Sequence, residues 1–414
     1  MKVTEIMHLA AAILTLSALF GYINHRWLKF PHTIGLVIIA LLASLGTIAV
    51  DAVVPGMALG SAVTGLVSRI DFTETLMKGM LSLLLFAGAM HVDLDDLASR
   101  KWAIASMATA GVLISTAIVG YGGYLLLGLL GLPVPLAWCL VFGALISPTD
   151  PVAVLGILKT VHVPKSLEAK IAGESLFNDG VGVVVFSILV AIASGEAVGP
   201  VGIFEMFLVE TMGGALIGLG LGYAAFRALR SIDEHNLEVL ITLALVFLVA
   251  SVAEALHASA PIGAVVAGLL IGNHGTRFAM SEKTADHVRK FWSLLDEILN
   301  SVLFLIIGFE VLTLALDANL IFAAVLAIPL VLLARLVSVA APIGLLRVRE
   351  TFTRGAVAVL TWGGLRGGIS VALALSLPPG PSKNTILAIT YAVVIFSIIV
   401  QGLSIGRVVA RFVR

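Results

Sequence analysis

Five ionisable residues stand out within the long apolar runs of this sequence: Asp150, Glu174, Asp179, Arg335 and Arg366, with Glu254 and Glu310 nearer the ends of theirs. At the centre of a membrane helix such a residue costs roughly 2.5–3.5 kcal/mol on insertion scales, so each needs a partner or a task. Asp150 belongs to the run Ser147-Pro148-Thr149-Asp150-Pro151. Pro151 has no amide hydrogen and its ring clashes with the carbonyl four residues back, which opens a helix here. The freed carbonyls and the Thr149 hydroxyl are hard oxygen groups of the kind that ligate cations. A plain kink, with Asp150 capping the following half-helix, uses the same residues equally well.

A second run reads Gly173-Glu174-Ser175-Leu176-Phe177-Asn178-Asp179-Gly180. Residues four apart share a helix face. Ser175 and Asp179 therefore form one polar stripe, and Glu174 with Asn178 the next. Lys165 and Lys170 mark the expected interface, which sets Asp179 two turns or more inside and favours a functional role for it over that of a polar interfacial helix start. The third run, Thr361-Trp362-Gly363-Gly364-Leu365-Arg366-Gly367-Gly368, surrounds a permanently charged guanidinium with glycines. Glu174 is the expected partner of Arg366, as a structural pair. Arg335 is left with Glu310 or a water-filled vestibule.

The elements that must position these groups follow from composition. The chain is 59% hydrophobic and 12% charged, about half of the roughly 25% charge of a soluble domain. Its surface must face lipid. A net charge of zero argues against a nucleic-acid partner, and the single Cys139 leaves no disulfide framework. The first apolar run is followed by Asn24, His25 and Arg26 rather than a small-residue cleavage site, so it is read as a span.

At roughly 20 apolar residues per span, thirteen candidates emerge. They are approximately 6–24, 31–50, 74–92, 102–130, 136–158, 168–194, 203–226, 236–256, 260–273, 292–316, 319–346, 352–377 and 384–410. Residues 1–414 then form a single membrane domain with no soluble part. The longest polar stretch, 273–290, reads as a cytoplasmic loop with an amphipathic helical piece. With alternate loops on alternate sides, nineteen of the 25 Lys and Arg fall on one side. Lys2, Arg69, Lys78 and Lys383 fall on the other, and Arg335 and Arg366 lie within spans. The positive-inside rule then puts the N-terminus outside and the C-terminus in the cytoplasm.

The proline break in span five and the glycine break in span twelve hold corresponding positions in two six-span halves, 6–194 and 236–410, joined by a linker helix at 203–226. An odd connector inverts the second half. The expected fold is an all-α polytopic membrane protein of two inverted six-helix repeats, its broken helices crossing at the midplane, as in secondary transporters.

The three runs quoted above resemble the signature segments of NhaP-type monovalent cation/proton antiporters, relatives of the animal sodium/hydrogen exchangers. The resemblance covers essentially the whole membrane domain, in order. It implies a homodimer in a bacterial inner (cell) membrane, thirteen spans per protomer, a mobile six-helix core, no cofactor, and a part in ion and pH homeostasis. It further implies that Asp179 binds the cation or the proton, with Ser175 and the Thr149 backbone as further ligands. Asn178 and Asp150 would hold the helix crossing, and Glu174 and Arg366 would form the buried pair. The Asn178-Asp179 order resembles the electroneutral branch. One departure is Phe86-Ala87-Gly88, where many members carry an acid in place of Ala87; sodium, potassium and lithium all stay open as the substrate.

The implied mechanism is competition. Burial disfavours a bare carboxylate, so a proton and a dehydrated alkali cation exclude one another at Asp179, and alternating access gives one-for-one exchange. Two rivals use the same residues: a cation channel lined by Asp150 and Asp179, and a carrier of small organic anions with Arg335 and Arg366 as ligands. A membrane-embedded hydrolase would need a paired nucleophile and base, or a His-Glu-x-x-His run, and the spans carry neither.

Overall fold

The computed structural model describes residues 3–53, 79–150, 154, 164–196, 199–313, 318–348 and 352–413. Parts of three expected spans (74–78, 151–153 with 155–158, and 314–316) lie outside the described residues. So do Pro151 and the basic residues Lys2, Arg69, Lys78, Lys159, Arg349 and Arg414, and the side chain of Lys165. The described residues are helical, joined by short turns, with no β-strand among them. Nine of their helices are long and apolar enough to cross a membrane, and Leu81–Met90 and Leu136–Ile146 are shorter apolar helices.

Apolar side chains cover the outside of the bundle as well as its inside. Leu216, Tyr223, Phe247, Phe322 and Leu333 are all exposed. The 30-residue Pro200–Leu229 helix buries few of its side chains. In water such a surface would aggregate; in hydrocarbon it is the stable arrangement, because helices satisfy their own backbone groups. This is an integral membrane protein.

Helix contacts are close where small residues allow it. Pro200–Leu229 crosses Ala260–Leu270 through Gly214 and Gly218, four apart, and a Cβ on Gly218 would overlap the Gly263 carbonyl oxygen. That is the small-residue packing expected where lipid supplies no hydrophobic drive between helices. The main core is centred on Leu136–Ile146, which packs against the helical segment Lys101–Leu129 on one side and Lys165–Ala193 on the other. Val141, Phe142, Leu145 and Ile146 are buried there. A second cluster joins Phe86, Ala87 and Trp292, with the Trp292 indole donating to Thr242 Oγ1 at 3.0 Å.

The polar stretch 273–290 carries the expected amphipathic helical piece. Glu282–Glu310 runs without interruption from the amphipathic piece into the span. Ser281 caps it, accepting from Thr284 N at 3.4 Å. Ala285, Val288 and Trp292 bury one face of the added turns, so the helix pattern extends past the polar composition. Lys170 is buried, its ammonium 4.0 Å from the Phe352 ring centroid.

Candidate functional site

Both expected breaks are present, and they meet. Leu136–Ile146 ends before Ser147-Pro148-Thr149-Asp150, and Ala356–Trp362 stops before the glycines, with Gly368–Leu375 resuming the helix beyond them. A break leaves terminal carbonyls and amides without helical partners, and each break serves the other. Asp150 N donates to Leu365 O at 2.8 Å. Arg366 Nη1 donates to Ser147 O and, at 2.9 Å, to Pro148 O. A cation thus lies against the C-terminal carbonyls of one half-helix. The Asp150 carboxylate sits against the start of the other: a Cβ on Gly367 would overlap Asp150 Oδ2, so only glycine permits that approach.

Neighbouring helices supply two further partners. Arg366 N donates to Ser397 Oγ at 2.9 Å, and Gln401 Nε2 donates to Trp362 O at 3.0 Å. Ser397 and Gln401 bound a single π-turn, Ser397–Gln401. Such widened turns often accompany functional sites. Neither residue stood out in the sequence, where a serine and a glutamine in an apolar helix carry no spacing signal.

The Lys165–Ala193 helix brings the polar stripes to the first break. Asn178 grips Thr149 twice: Nδ2 donates to Thr149 Oγ1 at 2.8 Å, and Oδ1 accepts from Thr149 N at 3.2 Å. Ser175 Oγ and Thr149 Oγ1 are hydrogen-bonded at 3.0 Å. All three are buried. Asn178 therefore reaches the residue beside Asp150 rather than Asp150 itself.

The expected Glu174–Arg366 pair is not what forms. Glu174 is held by Arg335, through Nη1 to Oε1 and through Nη2 to Oε2 at 2.9 Å. Arg335 also donates from Nε and Nη2 to Leu360 O, at 3.2 and 3.0 Å. The physical reason lies in Arg366: its guanidinium is drawn to the open carbonyls of the first break, while Ala318–Leu346 packs against Ala356–Trp362 and delivers Arg335 in its place. A fork-shaped guanidinium suits both the carboxylate and a helix-end carbonyl. Arg335 thus binds neither Glu310 nor a vestibule.

Asp179 is treated differently. It is only 4% exposed. Among the described residues it takes part in no hydrogen bond or ion pair, and its recorded electrostatic neighbour is another acid, Asp150. Thr149, Asp150 and Asp179 border a cavity of about 530 Å³. Its described lining holds six acids (Asp93, Asp96, Asp150, Glu168, Asp179 and Asp296) and no lysine or arginine. Ser175 and Asn178 stand behind Thr149, outside the lining. Ala87 belongs to the second core cluster, while Gly88 borders the cavity.

This geometry sits in a recognisable lineage. Residues 13–411 match the family model of the transmembrane sodium/hydrogen exchangers. The chain belongs to that family. It is 48% identical to the Na(+)/H(+) antiporter NhaP of Pseudomonas aeruginosa, over 98% of this chain and 96% of the relative. It is 35% identical to the Na(+)/H(+) antiporter NhaH of Halobacillus aidingensis, over 93% of each. The fold is shared with the sodium proton antiporter MjNhaP1 from Methanocaldococcus jannaschii solved at pH 8: TM-score 0.77 at 17% identity, over 99% of each chain. As a sodium/hydrogen exchanger family member the chain is a secondary transporter and not an enzyme.

Proposed function

We propose that this chain exchanges sodium, with potassium or lithium as further candidates, for protons, one for one, by competition at Asp179. The observation that carries the reading is a carboxylate buried in a membrane bundle, without a counter-charge among the described residues, on the wall of an acid-lined cavity. A bare charge there is costly. Bound proton and bound alkali cation each neutralise it, and only one fits at a time. The oxygens of Thr149 complete the coordination of the cation, with Ser175 Oγ hydrogen-bonded to Thr149 Oγ1 behind them. Asp150 and Asn178 hold the crossing, and Glu174 with Arg335 ties the moving parts.

The relatives named above as Na(+)/H(+) antiporters support sodium as the cation. The anion-carrier alternative loses its ligands: Arg335 is engaged by Glu174 and Leu360 O, and Arg366 by Ser147 O and Pro148 O, with neither in the acid-lined cavity. The architecture we propose has thirteen spans, inverted halves and a homodimeric assembly in a bacterial inner membrane, with the N-terminus outside and the C-terminus in the cytoplasm. In that orientation Asp93, Asp96 and Glu168 mark a cytoplasmic mouth. Reconstitution with an internal pH dye tests the exchange. Sodium addition collapses an imposed pH gradient in the wild type and not in Asp179→Asn; cation flux without a matching pH change would favour a channel and overturn the reading.

A further inference from the structure

The first break and the Lys165–Ala193 helix supply only part of the cavity lining. The Glu282–Glu310 helix supplies another part, presenting Ser293, Asp296, Asn300 and Leu303 to the cavity. Their spacing of three, four and three residues is one stripe of an α-helix, and three of its four positions are polar. In a chain 59% hydrophobic, a polar stripe turned toward a cavity calls for a ligand.

Asp296 is held in place. Asn300, itself buried, donates from Nδ2 to Asp296 O at 2.9 Å and to Asp296 Oδ1 at 3.0 Å. With the amide nitrogen so engaged, the Asn300 carbonyl oxygen keeps its capacity to accept. Among the described residues no lysine, arginine or histidine forms an ion pair with Asp296, and the charges that act on it are the acids Asp150 and Glu297. Like charges about a shared cavity raise one another's energy until a cation or proton stands between them. Asp179, nine-tenths buried and without a hydrogen-bond partner, opens on the same space. Hydroxyl, carboxylate and amide oxygens in one stripe suit a hard monovalent cation.

We propose that Asp296, positioned by Asn300, is a second cation-binding carboxylate: a staging residue on the Glu282–Glu310 helix that receives the monovalent cation from the mouth of the cavity and passes it to Asp179. The inference rests on the reading that Asp179 is the exchange carboxylate.

The test uses the full chain in proteoliposomes, titrated with sodium chloride and with lithium chloride. In Asp296→Asn the side-chain oxygen that accepts from Asn300 survives and the charge does not, so a merely structural role is preserved. The staging role predicts a roughly tenfold rise in apparent KM with a maximal rate reduced by less than about threefold, and recovery to within about threefold in Asp296→Glu. Apparent KM within about twofold of wild type in Asp296→Asn, with Asp179→Asn inactive, overturns the staging role and leaves the exchange reading standing. Activity in Asp179→Asn, or none in the wild type, overturns both. If Asp296→Asn does not elute as a monodisperse species, Asp296→Ser carries the same thresholds.

Discussion

Glu174 and Asp179 are two carboxylates five residues apart on one helix, 1% and 4% exposed. Both nitrogens of the Arg335 fork meet Glu174, and no cation meets Asp179 among the described residues. Depth in the bundle is therefore not what distinguishes the paired acid from the one proposed to exchange ions. The supply of counter-charge by neighbouring helices separates them. A buried acid with a bidentate guanidinium is neutralised permanently and fixes the packing of three helices, since Arg335 also bonds Leu360 O. A buried acid without one is neutralised only by what arrives from the cavity.

The sharpest way to break this contrast is Asp179→Asn. Exchange should fall by at least about a hundredfold, while the thermal midpoint in detergent holds or rises, because an unpaired buried charge is removed. A large loss of stability would place Asp179 in the same class as Glu174. The reciprocal test is Arg335→Met, which strands the Glu174 charge. It should cost about 3–5 kcal/mol, with part of the loss regained in the Glu174→Gln/Arg335→Met double variant. Denaturant titration of the four proteins measures the coupling directly.

Asn178→Ala sharpens the comparison from within the site. It removes both bonds to Thr149, and about 1–3 kcal/mol of stability should go with the orphaned buried groups. The apparent KM should rise as Thr149 loosens, which cation titration in proteoliposomes reads out. Glu234, outside the spans, gives the smallest effect and a control in which an acid is served by amides instead of a cation. The Leu237 amide, at 2.8 Å, with the Asn236 amide, holds its carboxyl below the ordinary value of 4.5. Its stabilisation is therefore present above that value and lost as pH falls below it. A melting difference between wild type and Glu234→Ala should be seen at neutral pH and close on acidification.

Much of the site was legible before any fold. Proline at a mid-helix position announces a break, glycines around a charge announce another, and polar residues four apart announce a shared face. The meeting of the two breaks and the gathering of Thr149, Ser175 and Asn178 follow those signals. The partner of Glu174 did not. Repeat position favoured Arg366, and nothing local to Arg335 connects it with a residue 161 positions earlier. Lys170 shows the same limit: nothing in the sequence places the Phe352 ring, 182 positions later, beside it.

The sequence by itself determined the solvent, the breaks and the chemical types at the site, because hydrocarbon tolerates few polar groups and each one is conspicuous. Only the tertiary structure decided which charges are cancelled. Helix packing brought Arg335 to Glu174, turned Arg366 onto the Ser147 and Pro148 carbonyls, set Asp296 in the wall of the cavity, and left Asp179 open to it. Pairing depends on distances of a few ångströms between helices remote in sequence, and one-dimensional spacing does not encode those distances.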